Sequence, residues 1–90
     1  MSAASQIGNS SITVIRDVLV IQTMLEDLQR TVRILDCDIA TEEATGRVSN
    51  ASDPRYPMLA KTLTTRRDNL KSTIGALKER LGQLTSAAAA

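Results

Sequence analysis

GRVSNASDPRYP, residues 46–57, is where one regular apolar pattern stops and a second begins. Before it, Val14, Val18, Ile21, Leu25, Leu28, Val32, Leu35 and Ile39 recur at alternating spacings of four and three. After it, Ala60, Leu63, Arg67, Leu70, Ile74, Leu77, Leu81 and Leu84 do the same. That period winds one apolar stripe along an α-helix, the seam of a coiled coil. The stretch between holds glycine, asparagine, serine and two prolines, which favour turns. A helix is therefore expected over 11–45, capped by Asn9, Ser10 or Ser11 and stopped at Gly46. A loop over 46–53 follows. A second helix is expected over 54–85, with Asp53 as its cap and Pro54 as its first residue. Residues 1–10 and 86–90 are expected to be flexible tails.

The two stripes agree on how they pair. Facing positions in an antiparallel hairpin have residue numbers with a constant sum. Val18–Leu84, Ile21–Leu81, Leu25–Leu77, Leu28–Ile74, Val32–Leu70, Leu35–Arg67 and Ile39–Leu63 all total 102. The turn then falls near residue 51, inside the breaker stretch. Charge points the same way. Residues 11–45 carry three arginines against seven carboxylates, a net −4, while residues 57–85 carry six basic against two acidic side chains, a net +4. The fold class is all-α, an antiparallel two-helix hairpin.

Composition narrows the alternatives. Tyr56 is the single aromatic residue, and there is no Phe, Trp or His, which is unlike a sheet protein. Without histidine the usual nucleophile–base pairs are unavailable, so no enzyme is expected and no cofactor or metal is implied. Asp36 with Asp38, and Glu42 with Glu43, read as a solvated acidic face, because the Glu-x-x-His spacing of metal sites in helical bundles is absent. One cysteine, Cys37, excludes an internal disulfide and fits a reducing compartment. No apolar run approaches the roughly 20 residues that span a bilayer, so a cytoplasmic protein without a membrane partner is expected. Arg66, Lys71, Lys78 and Arg80 form a basic face. With a net charge of +1 and no stacking aromatics, composition points away from nucleic acid.

Arg67 interrupts the second stripe. A polar residue at a seam position can set register or assembly state at some cost in stability. Arg67, with Arg66 beside it, is expected to meet Asp36 or Asp38, and Asp38 is expected to pair with Arg66.

One seam is little apolar burial for the ordering of two helices. Ile12, Ile15, Leu19, Val20 and Met24 lie off it, and they are read as a broadening of the apolar face of the first helix. Gly75 and Gly82, one heptad apart, are read as a place of close helix approach beside Leu77 and Leu81. Together these residues mark an expected interface through which two hairpins close into a homodimeric four-helix bundle, or a higher oligomer. The loop tip, with Asp53, Arg55 and Tyr56, is a candidate contact for another protein, although Tyr56 opposite Gly46 also reads as a ring capping the closed end.

In length, hairpin form and the Asp53–Pro54 turn within ASDP, the chain resembles type III secretion needle subunits. The resemblance implies a filament subunit. The residues themselves favour a non-enzymatic oligomerisation, adaptor or small chaperone-like protein acting through protein–protein contacts, with a nucleic-acid accessory protein as a further alternative.

Overall fold

The computed structural model describes the backbone of residues 2–89 and the side chains of residues 11–87. Two helices account for most of it, α1 over Ser2–Gly46 and α2 over Met58–Ala89, and they pack against each other as a hairpin. The described residues contain no strand. The rod measures 69 × 18 × 16 Å. A 45-residue helix at 1.5 Å per residue accounts for that length. The shorter α2 leaves the first turns of α1 projecting beyond it.

The helix bounds differ from those expected. α1 begins at Ser2, because Gly8 is the only poor helix former before Asn9 and costs only about 1 kcal/mol relative to alanine. Asn9, Ser10 and Ser11 therefore lie inside the helix and not at its cap. At the other end α2 runs on to Ala89, through the alanines, the best helix formers.

Asp53 and Pro54 lie outside α2, contrary to the expected cap and first residue. They are the first two corners of a turn in which the Tyr56 N–H donates to the Asp53 carbonyl at 3.0 Å. Asp followed by Pro suits such a turn. It cannot lengthen into a helix, because the next bond back to Asp53 would need an N–H from Pro57, which has none. Proline also disfavours helical geometry at Tyr56 before it. The helix starts after Pro57, whose carbonyl accepts the first helical bond from the Lys61 N–H at 3.2 Å.

α1 ends in a Schellman arrangement. The Val48 N–H donates to the Glu43 carbonyl and the Arg47 N–H to the Ala44 carbonyl, both at 3.3 Å. The left-handed residue is Arg47, with φ at 58°, and not Gly46. Gly46 serves differently: a Cβ there would stand 2.7 Å from Pro57 Cγ. The two ends of the loop touch at that point.

The core is the seam. Ile21, Leu25, Val32, Ile74 and Leu84 form a buried cluster, with Val18, Leu28, Leu70, Leu77 and Leu81 packed against it. Leu35, Ile39, Tyr56 and Ala60 are buried nearer the loop, outside that cluster. Arg67 stands between the two groups. Outward-facing threonines satisfy their hydroxyls within the helix: Thr23 donates to the Leu19 carbonyl, Thr41 to Cys37 and Thr73 to Asn69.

Candidate interaction surface

The register leaves α1 with a second apolar face. At 100° per residue, Val18, Ile21, Leu25, Leu28 and Val32 share one side of the helix, the side against α2. Ile12, Ile15, Leu19, Val20 and Met24 centre about 180° away. They are exposed, from Ile12 at 64% to Met24 at 44%. Ile12, Leu19 and Val20 lie on the back of α1, apart from the seam, whereas Ile15 and Met24 flank it at about 100° and 80° from its centre, as a broadening of the apolar face requires. Leu19, Val20 and Met24, with Arg16 and Thr23, line a shallow open depression on α1. Arg16, Leu19, Val20, Thr23 and Met24 are spaced at i, i+3 and i+4 and form one continuous strip, with Ile12 and Ile15 on its Leu19 side. Arg16 has no acidic residue three or four positions away, and it makes no ion pair with any described residue.

The α2 residues placed in the same interface do not join this surface. Leu77 and Leu81 pack into the hairpin core. Gly75 and Gly82 are exposed, and a Cβ at either would meet nothing within 4 Å. Three exposed apolar residues went unremarked in the sequence: Ile34, which continues the outer side of α1, and Met58 and Leu59 at the start of α2. Helical-wheel position alone would have found Ile34.

The polar layer is built differently from the expectation. Arg67 Nη1 bonds Asp36 Oδ1 at 3.0 Å across the hairpin, and Arg67 Nε bonds Asp68 Oδ1 at 3.2 Å on its own helix. The Asp36 bond raises the guanidinium pKa above its ordinary value, against the opposing effect of burial. Asp38 and Arg66 form no ion pair; both point to solvent. Arg67 is therefore a two-carboxylate clamp, and neither Asp38 nor Arg66 belongs to it.

The loop tip is also rearranged. Asp53 accepts from the Arg55 backbone N–H at 2.8 Å and from its guanidinium at 3.0 and 3.2 Å. The Arg55 side chain, then its backbone N–H, lower the Asp53 pKa, and Arg55 is raised in turn. Tyr56 is not offered to a partner. It is 7% exposed, and its hydroxyl donates to Glu43 Oε2 at 2.8 Å. That bond, with burial, raises the phenol pKa; Thr64 beside it pulls the other way. Of the three tip residues Arg55 is the most exposed, although its guanidinium is tied to Asp53.

Other candidates remain dispersed. No group of three or more metal-ligating side chains gathers among the described residues, and Cys37 is an exposed free thiol. No described helix is long and apolar enough to cross a membrane. No family model, curated protein or solved structure matches the chain.

Proposed function

We propose that the chain is a non-enzymatic oligomerisation or adaptor module, and that its working surface is the outer face of α1. One observation carries this reading: five large apolar side chains, spread over the half of α1 that α2 does not cover, are exposed within four helical turns. Contiguous exposed apolar surface of this kind marks protein interaction sites in water-exposed proteins. A second hairpin is the simplest cover, giving a closed homodimer of four helices. Because the strip belongs to α1 alone, the order α2–α1–α1–α2 fits it better than a square bundle with one shared core.

Sedimentation at micromolar concentration tests the reading. The expected mass is twice the 9.7 kDa of one chain, and Leu19→Asp should return it to a helical monomer. A stably folded wild-type monomer would overturn the proposal. Mass that grows steadily with concentration would favour a filament subunit over the closed dimer.

A further inference from the structure

We propose that the second copy docks antiparallel along the outer face of α1, with Arg16 of each chain reaching Asp27 of the other. This rests on the self-association proposed above and specifies its geometry.

Turn α1 end for end about a point between Leu19 and Val20, and levels are exchanged between positions whose numbers total 39. Leu19 then shares a level with Val20 of the other copy, and Ile15 with Met24. Because the two-fold keeps each wheel angle on its own side, Leu19 lies beside Leu19 of the other copy along one edge and Val20 beside Val20 along the other, while Ile15 and Met24, about 180° apart on the wheel, stand at opposite edges. The same reversal sets Arg16 level with Thr23 of the other copy, one turn from its Asp27. Side chains in a helix lean toward its N-terminus. In the antiparallel arrangement the Arg16 stem therefore runs over Thr23 and its guanidinium arrives at Asp27. Arg16 and Asp27 lie about 20° apart on the wheel, so the two-fold axis brings them to the same side.

Charge supports this contact twice. Arg16 sits in the apolar depression with no anion of its own, whereas Asp27 has only a long, exposed ion pair to Arg30 at 3.8 Å. A cation on an apolar surface gains most from a partner that supplies a carboxylate. Orientation follows from the acidic half of α1. A parallel pair would set Asp38 and Glu42, the acidic residues of this half that do not face α2, beside their own copies. The antiparallel pair sends these groups to opposite ends of the assembly.

The test is a pair of exposed charge reversals, Arg16→Asp and Asp27→Arg, each checked for unchanged helicity by circular dichroism. Either variant alone places like charges at both symmetry-related contacts, and its self-association should weaken about ten-fold or more. An equimolar mixture should recover the dimer, because each variant presents to the other the charge it needs at both contacts. The double variant should likewise recover it. If wild-type protein is monomeric, the self-association reading itself fails. If the wild type associates but the single variants are unaffected, or the mixture and the double variant stay dissociated, self-association stands and the antiparallel Arg16–Asp27 geometry is overturned.

Discussion

Arg67 of α2 is held to Asp36 of α1 at 3.0 Å, and it occupies the seam position that faces the buried Leu35. The pair is one residue away from the ideal facing register of 102, as is the contact of Gly46 with Pro57. A charge at this level divides the apolar seam in two. It also penalises a one-turn slip of the helices, which would carry the guanidinium away from Asp36.

Arg67→Leu should therefore stabilise the hairpin while weakening its register. Leucine burial contributes more than the half-exposed ion pair, whose worth is roughly 0–1 kcal/mol, so the expected gain is about 1 kcal/mol. Thermal denaturation reads the gain, and the mass distribution in solution reads the loss of a single assembly state. Reduced stability with unchanged mass would contradict this role.

Gly46→Ala should destabilise the closed end by roughly 1–3 kcal/mol, because the added methyl meets the Pro57 ring, which must shift. The neighbouring change has the opposite sign. Arg47→Gly relieves a left-handed backbone at an arginine and should gain about 1 kcal/mol. Urea denaturation of the two variants separates the effects of one added and one removed side chain.

Gly75→Ala with Gly82→Ala should raise stability by about 2 kcal/mol together, since each position has open space around a new Cβ and alanine is the better helix former. Solution mass should not change. A loss of assembly in this variant would show that a neighbouring helix approaches α2 at these glycines after all.

The loop end should weaken toward both extremes of pH. The Tyr56 phenol has a raised pKa because it donates to Glu43, so its contribution is complete below the ordinary value of 10.0 and is lost as pH climbs past it. Asp53 has a lowered pKa because Arg55 bonds the carboxylate, so its contribution is complete above the ordinary value of 3.8 and is lost as pH falls. Urea midpoints compared across pH should show both losses. Tyr56→Phe should abolish the dependence in the window just above 10.0 and leave the acid side unchanged.

The hairpin and its register were legible because an apolar stripe of period 3.5 leaves little freedom in pairing, and two independent stripes agreed on one sum. Arg67 was legible as an exception within that rhythm, and Asp36 as one of two nearby carboxylates. What sequence reading missed was angular. Grouped together as off-seam residues, Ile12, Ile15, Leu19, Val20 and Met24 divide on the helical wheel into Ile12, Leu19 and Val20 on the back of α1 and Ile15 and Met24 on the two flanks of the seam. The start of α2 was misread because Asp53–Pro54 suits both a helix cap and a turn. The deciding group was the absent N–H of Pro57, three residues later. Tyr56 was placed over Gly46, but its hydroxyl found Glu43 almost one helical turn earlier, a hydrogen bond that apolar patterning does not encode.

The burial of Tyr56 also turns the chain's one aromatic ring into a local optical reporter. Its emission reads the closed end, where Pro57 meets Gly46, whereas far-ultraviolet ellipticity averages over both helices. Unfolding curves from the two signals coincide only if the rod melts as a single unit. Separation of the curves, with ellipticity lost first, would mean that the hairpin unzips from the end where its chain termini lie.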